Sequence, residues 1–187
     1  MKKIRVNLDR KTASTHEICI GRGIVDRMGL IMVKNNWASR YVLVTDSCVS
    51  ELHGERVLTT LRNMAIEVDM IPFPAGETSK TIGTCLDLMA KLVALKADRK
   101  TALIALGGGV VGDMTGLAAS LFMRGIPYIQ APTTLLAQVD SSIGGKTGVN
   151  LETAKNMLGT FYQPKGIFID LAFLDTLPER EFANGLA

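Results

Sequence analysis

A glycine-rich turn is the strongest chemical signal in the sequence. Gly107, Gly109 and Gly112 give the spacing G-x-G-x-x-G, directly after the apolar run Thr101–Leu106 and before a helical pattern that begins near Val110. Without Cβ atoms, such a turn lets backbone N–H groups approach a pyrophosphate, and the helix N-terminus adds positive potential. The turn therefore predicts a dinucleotide site, with a tight turn between packed elements as the alternative.

The acidic residue that usually completes such a site is displaced. In the standard dinucleotide fold it follows about twenty positions later, at the end of the next strand. Here that strand, Pro127–Ala131, ends in Pro132, Thr133 and Thr134. The two threonines can cap a helix or hold an anion. Asp46, after the strand Tyr41–Thr45, is the better ribose-binding candidate, so an ordinary Rossmann dehydrogenase is not expected.

A polar block follows the two threonines. Thr133–Tyr162 is rich in Gly, Ser, Thr and Asn, and we interpret it as a functional loop region. Gly144–Thr147 resembles the end of a P-loop, but that pattern requires glycine at position 140, where the chain has Asp140, which excludes a P-loop NTPase. Singly, Asp140, Lys146, Lys155 and Asn156 are typical of a solvated surface. Together they suit a small anionic polyol.

Composition excludes several classes of function. The chain has 187 residues, 47% of them hydrophobic, and a formal charge of +3 without a basic stripe, so no nucleic-acid partner is expected. Apolar runs are too short to span a membrane, and the N-terminus does not have a signal peptide's apolar region. Three widely spaced cysteines indicate reduced thiols and a cytoplasmic location. His16 and His53 form no metal motif, and we expect both to be structural or exposed.

The elements that position these residues alternate between strand and helix. This alternation predicts an α/β fold, Rossmann-like, with a mostly parallel sheet and helices on both faces. An initial hairpin is expected from Ile4–Leu8 and Glu17–Ile20. The further predicted strands are Tyr41–Thr45, Ile66–Ile71, Thr101–Leu106, Pro127–Ala131 and Gly166–Asp170, and the predicted helices are Gly23–Asn35, Val49–Asn63, Thr81–Ala97, one from Val110 and the helical region Leu174–Ala187.

Seven motifs occur in order along the chain: Pro74–Lys80, Leu106–Asp113, Met123–Gly125, Pro132–Ile143, Gly144–Asn150, Lys155–Met157 and Phe161–Pro164. Together they closely resemble the 3-dehydroquinate synthase family. The resemblance covers about the N-terminal half of that family's enzymes. It implies an NAD-binding domain over residues 1–176 and, at 177–187, the start of a helical metal-binding domain that is otherwise absent from this chain.

The resemblance also implies roles for individual residues. Asp140, Lys146 and Asn156 would face the substrate, and Arg124 would reach the substrate phosphate of a neighbouring subunit, which implies a homodimer. Ala75 stands where the family often has Asp. The metal, zinc or cobalt, would be bound only by the full-length enzyme, through ligands beyond Ala187. The residues expected to contact NAD are Asp46, Glu77, Lys80, Gly109, Val110, Val111, Gly112, Asp113, Thr133, Thr134, Lys146, Lys155, Phe173, Leu174, Asp175 and Thr176.

The activity implied for the whole enzyme is a lyase reaction of the shikimate pathway. It converts 3-deoxy-D-arabino-heptulosonate 7-phosphate to 3-dehydroquinate and phosphate, with NAD used catalytically. The helical pattern that stops at Ala187 leads us to expect a truncated chain that is inactive alone. The alternatives are another sugar-phosphate cyclase such as 2-deoxy-scyllo-inosose synthase, an iron-dependent dehydrogenase, or a non-catalytic NAD-binding module.

Overall fold

A six-stranded parallel sheet forms the centre of the molecule. The computed structural model describes residues 16–187 of the chain. The order of the strands in the sheet is β1-β8-β5-β4-β2-β3, and every neighbouring pair is parallel. The strands are β1 (Glu17–Gly21), β2 (Arg40–Asp46), β3 (Val68–Phe73), β4 (Thr101–Gly107), β5 (Tyr128–Pro132) and β8 (Gly166–Asp170).

Helices cover both faces of this sheet, as the sequence predicts. One apolar core lies between the sheet and helices α4 and α5, and the other lies between the sheet and helices α1 and α3. In β2, Val42 and Val44 enter the first core and Leu43 enters the second. Two buried faces explain why the strands are apolar throughout. The helices are α1 (Val25–Asn35), α2 (Ser47–Val49), α3 (Glu55–Asn63), α4 (Ile82–Ala94), α5 (Gly109–Leu121) and α6 (Glu179–Leu186).

The interpretation of Thr133–Tyr162 as a loop region is wrong for much of its length. The structure has a wide helical turn at Ala137–Ser141 and an antiparallel hairpin of β6 (Lys146–Leu151) and β7 (Ala154–Phe161). The side chains of β7 are almost all exposed, so this strand has no alternation of apolar and polar residues to indicate it. Gly148 lies opposite Gly159 in the register, and glycine has a low strand propensity.

The two ends of the chain differ from expectation in other ways. β1 pairs in parallel with β8, whereas the predicted hairpin partner Ile4–Leu8 lies outside the described residues. The predicted helical region Leu174–Ala187 consists of a 3₁₀ segment, Leu171–Thr176, and α6. Pro178 separates them because its fixed φ and missing N–H cannot continue a helix.

No helix among residues 16–187 is both long and apolar enough to cross a membrane.

Candidate functional site

The chain reverses its winding direction between β2 and β4. β2 leads through α2 and α3 over one face of the sheet, and β4 leads through α5 over the other face. The two strands are neighbours, with Thr45 opposite Leu106 in the register. Loops that diverge from adjacent strand ends leave a crevice, and ligands of open α/β sheets bind there. Asp46 and the glycine turn both border this crevice.

The glycine turn is shaped by close packing. A Cβ on Gly107 would lie 2.4 Å from Val111 Cγ2 and 2.6 Å from Val111 Cβ, so no larger residue fits there without movement. The φ angle of Gly108 is −75°, which any residue can adopt. Gly108 is the N-cap of α5 and offers no capping side chain, so the N–H groups of the first helical turn point into the crevice region uncapped. This arrangement suits a pyrophosphate.

Asp46 lies beside that turn, and its side chain also caps the short helix that follows it. Asp46 Oδ1 accepts a hydrogen bond of 2.9 Å from the N–H of Val49 and so caps α2. Ser47 Oγ accepts a hydrogen bond of 3.1 Å from the N–H of Ala75, which ties α2 to the loop after β3. The position of Asp46 at the end of β2 is the place where a ribose-binding carboxylate is found in dinucleotide sites.

Thr133 and Thr134 lie across the crevice from Asp46, after β5. The N–H of Thr133 donates to the carbonyl oxygen of Gly107 at 2.9 Å, and Thr134 Oγ1 accepts from the N–H of Ala137 at 3.2 Å. A Cβ on Gly108 would lie 3.0 Å from Thr134 Cγ2, so this side chain packs directly against the glycine turn. Thr134 therefore caps a helical turn while lining the crevice.

Lys80, Asp113 and Asn156 form a cluster at the edge of the site. Lys80 is only 5% exposed, and its Nζ donates to Asp113 Oδ2 at 2.5 Å and to Asn156 Oδ1 at 2.6 Å. Burial raises the pKa of the Asp113 carboxyl, and the hydrogen bond from Lys80 opposes this rise. The Lys80 ammonium is thus already paired, and it joins the loop after β3 to α5 and to the hairpin.

A cavity of about 380 Å³ opens beside this cluster. Its wall contains Asp113, Asp140, Lys146 and Asn156, so three members of the predicted polar block share one cavity. The fourth member, Lys155, is exposed and does not belong to the wall. With two carboxylates, an ammonium and an amide on its wall, the cavity can bind a small polar molecule that carries both hydroxyl and anionic groups.

Arg124 lies apart from the cavity, in the short 3₁₀ turn Phe122–Arg124 after α5. Its side chain is exposed and its φ of 68° is left-handed, as is the φ of 49° at Met123. A residue displayed in this way can reach another molecule more readily than the cavity of its own chain.

The segment Phe173–Thr176 is fixed by contacts to other elements. Phe173 is buried and packs edge-on against His53, and His53 Nε2 lies 2.8 Å from Thr176 Oγ1. Burial lowers the pKa of His53, and Thr176 Oγ1 donates to the carbonyl oxygen of Phe173, so the neutral imidazole donates from Nε2. This confirms the structural role expected of His53. Asp175 pairs with Arg22, which lowers the pKa of the Asp175 carboxyl.

Two residues that organise the site were missed by the sequence interpretation. Asp170, fully buried at the end of β8, accepts from the N–H groups of Gly23, Val25 and Ala172 at 2.9, 3.2 and 3.0 Å. Gln138 Nε2 donates to the carbonyl oxygens of Pro132 and Asp170 and so bridges β5 and β8. The position of Asp170 at the carboxyl end of a parallel strand was the available signal.

Residues 16–187 hold no group of three or more His, Cys, Asp or Glu side chains that could bind a metal ion. Cys19, Cys48 and Cys85 are free thiols, and burial raises the pKa of Cys85 to about 11, which keeps it protonated at neutral pH.

Comparisons with known proteins bear directly on this architecture. The family model for the 3-dehydroquinate synthase N-terminal region matches residues 70–184. A 3-dehydroquinate synthase of Laribacter hongkongensis (strain HLHK9) is 48% identical over 172 residues, covering 92% of this chain and 48% of the relative. The chain spans about half the length of the curated relatives it matches.

Solved structures of related cyclases have a fold similar to that of this chain. A 2-deoxy-scyllo-inosose synthase complexed with carbaglucose-6-phosphate, NAD⁺ and Co²⁺ is 31% identical with a TM-score of 0.83, covering 90% of this chain and 46% of that one. ValA, the 2-epi-5-epi-valiolone synthase of Streptomyces hygroscopicus subsp. jinggangensis 5008 with NAD⁺ and Zn²⁺ bound, is 33% identical with a TM-score of 0.87, covering 98% and 50%. On this evidence the chain belongs to the 3-dehydroquinate synthase family, whose N-terminal region it matches.

Proposed function

We propose that this chain is the NAD-binding half of a 3-dehydroquinate synthase. The whole enzyme would convert 3-deoxy-D-arabino-heptulosonate 7-phosphate to 3-dehydroquinate and phosphate. The observation that carries the proposal is one juxtaposition: an uncapped, glycine-rich helix N-terminus at the switch point of the sheet, next to a cavity walled by Asp140, Lys146 and Asn156. The first feature suits a dinucleotide, and the second suits a sugar phosphate.

The crevice fits NAD in both shape and charge. The N–H groups of Gly109, Val110 and Val111 would hold the pyrophosphate, and Asp46 would accept hydrogen bonds from the adenosine ribose hydroxyls. When bound, NAD supplies a group that takes a hydride from the substrate and returns it later. The remaining proposed contacts are Glu77, Lys80, Gly112, Asp113, Thr133, Thr134, Lys146, Lys155, Phe173, Leu174, Asp175 and Thr176.

The cavity residues would hold and orient the substrate. Lys146 offers a cation for an anionic oxygen, Asn156 offers an amide for a hydroxyl, and Asp140 offers an acceptor that can take a hydroxyl proton. Arg124, exposed on its turn, would bind the substrate phosphate in a neighbouring copy of the chain, which makes the working unit a homodimer. Free thiols throughout residues 16–187 support the cytoplasm as its location.

Residues 16–187 do not form a binding site for a divalent metal. Residues 16–187 provide no cluster of metal ligands, whereas related cyclases were solved with Co²⁺ or Zn²⁺ bound. We therefore propose that the ligands for zinc or cobalt belong to the half that this chain does not cover, and that the chain is inactive by itself.

The second candidate function is that of another sugar-phosphate cyclase. The likeness to 2-deoxy-scyllo-inosose synthase supports it, because that enzyme has a similar fold and was solved with NAD⁺ bound. A non-catalytic NAD-binding module is less favoured, since it would have no use for polar side chains collected in a cavity beside the crevice.

Titration of NAD⁺ into the ¹⁵N-labelled chain tests the proposed cofactor site. We expect amide shifts to concentrate at Asp46 and at Gly109–Gly112, with weak affinity because a crevice closed on one side leaves much of the dinucleotide in water. NADP⁺ is the matched control, and it should bind more weakly because the Asp46 carboxylate repels a 2′-phosphate. Shifts scattered elsewhere, or equal affinity for NADP⁺, would contradict the assignment.

A further inference from the structure

Asn150 joins three parts of the site that are distant in sequence. The residue is the fifth of β6, and its backbone N–H donates to the carbonyl oxygen of Lys80 at 2.8 Å. Its side-chain Nδ2 donates to Glu77 Oε1 at 2.7 Å, and its Oδ1 accepts from the N–H of Asn156 at 2.9 Å. The backbone N–H, the side-chain Nδ2 and the side-chain Oδ1 of Asn150 are thus each bonded to a residue proposed to bind a ligand.

The hydrogen bond to Asn156 has a conformational consequence. Asn156 has a φ of 56°, in the left-handed region that asparagine tolerates at a cost but does not prefer. The bond from its N–H to Asn150 Oδ1 offsets that cost and restrains the backbone from which the Asn156 side chain projects. Asn156 Oδ1 then lies 2.6 Å from Lys80 Nζ, which in turn pairs with Asp113.

The bond to Glu77 has a different consequence. Glu77 is exposed and lies in the short 3₁₀ turn Glu77–Ser79, so its side chain would otherwise sample several rotamers. Asn150 holds one carboxylate oxygen, and the other accepts no hydrogen bond from the described residues. The amide therefore orients the carboxylate and leaves one of its oxygens for a ligand.

We propose that Asn150 is a positioning residue for the cofactor and substrate sites, setting Glu77 with its amide nitrogen and Asn156 with its amide oxygen. Its role toward ligands rests on the proposed function, but its role toward Asn156 does not. Asn150 itself lies outside the cavity wall, so it acts through these two neighbours. Loss of the amide would release both while leaving the two apolar cores intact.

Three variants separate these effects. Asn150→Ala removes both hydrogen bonds. Asn150→Asp keeps an acceptor for the Asn156 N–H but places a carboxylate against Glu77. The double variant Asn150→Asp with Glu77→Gln restores that bond with donor and acceptor exchanged. Asn35→Ala is the control, because it removes one exposed side-chain bond, from Asn35 Nδ2 to the carbonyl oxygen of Ile31, on the remote helix α1.

The first measurement is the ³J(HN–Hα) coupling and the amide shift of Asn156 in the free chain. We expect Asn150→Ala to move the coupling and the amide shift of Asn156 away from their wild-type values, which reflect its left-handed φ. Asn150→Asp and the double variant should retain the wild-type values. The thermal midpoint of Asn150→Ala should lie within about 4 °C of that of Asn35→Ala, because it loses one more exposed hydrogen bond. Unchanged Asn156 couplings in Asn150→Ala would overturn the proposal whether or not NAD binds.

The second measurement is NAD⁺ affinity. We expect Asn150→Ala and Asn150→Asp to weaken binding about tenfold, the size expected for losing one or two hydrogen bonds, and Asn35→Ala to leave binding unchanged. The double variant should bind more tightly than Asn150→Asp alone. A wild-type chain that binds no NAD⁺ would refute the proposed function, while altered Asn156 couplings in Asn150→Ala would still support positioning. Wild-type affinity in Asn150→Ala would refute the positioning of Glu77.

Discussion

Lys80 and Asp113 show how burial decides the chemistry of single residues in this site. Lys80 is almost fully buried, which is unusual for lysine, and its ammonium is compensated by the carboxylate of Asp113 and the amide of Asn156. The sequence motif predicted that Lys80 belongs to the site. It could not predict this pairing, because the partners come from α5 and from the unrecognised strand β7.

Removing the Lys80 charge should alter the titration of Asp113. In Lys80→Met we expect the pKa of Asp113 to rise further, because the hydrogen bond and the charge that lower it are lost. A carboxyl whose pKa is raised in the folded state stabilises the fold at pH values below the ordinary pKa of 3.8. This contribution is lost as the pH rises through the folded-state pKa. At pH 7 the variant should be about 3 kcal/mol less stable.

Carboxyl ¹³C NMR and urea unfolding measure these two quantities. Lys155→Met is the control, because Lys155 is exposed and is not among the residues that shift the pKa of Asp113. An Asp113 pKa that stays the same in Lys80→Met would show that the pair does not set the charge of this site.

At the scale of elements, the strands buried on both faces were predicted well. Thr101–Leu106 is a continuous apolar run and Gly166–Asp170 has an apolar centre, and both form strands at or next to the predicted bounds. The hairpin of β6 and β7 was not predicted because it is held by its own backbone ladder and by packing of β6 on α5. Neither of these leaves a periodic pattern in the sequence.

The contact between α5 and β6 depends on a small residue in the helix. A Cβ on Gly116 would lie 2.4 Å from Thr147 Cγ2 and 3.3 Å from Tyr128 Cε2. We expect Gly116→Ala to destabilise the chain by about 1–3 kcal/mol in urea unfolding, because the overpacking exceeds the gain in helix propensity.

The control for this substitution is another helical glycine. In α4, a Cβ on Gly83 would have its nearest neighbour, Thr81 Oγ1, at 3.7 Å. Gly83→Ala should therefore be neutral or stabilising by up to about 1 kcal/mol. Equal effects of the two substitutions would mean that α5 and β6 are not closely packed.

At the scale of the whole molecule, the sheet topology brings the residues of the site together. Asp46, the glycine turn, Thr133 and Asp170 lie at or just after the carboxyl ends of four different strands, and the parallel arrangement brings them to one edge of the sheet. The strand ends in the sequence pointed to Asp46, the glycine turn and Thr133 as site residues, but not to Asp170. The cavity was only partly predicted, since Asp140, Lys146 and Asn156 were grouped by composition, whereas their common wall depends on the hairpin.

A chimera tests most directly whether this chain is half of a 3-dehydroquinate synthase. The chain would replace the matching first half of the Laribacter hongkongensis relative, with that whole relative as positive control. Supplied with NAD⁺, Zn²⁺ and 3-deoxy-D-arabino-heptulosonate 7-phosphate, the chimera should release phosphate and 3-dehydroquinate in equal amounts. Lys146→Met in the chimera should lower the rate at least about tenfold, as expected for a lost charged contact. A folded, NAD-binding chimera that forms no 3-dehydroquinate would contradict the claim.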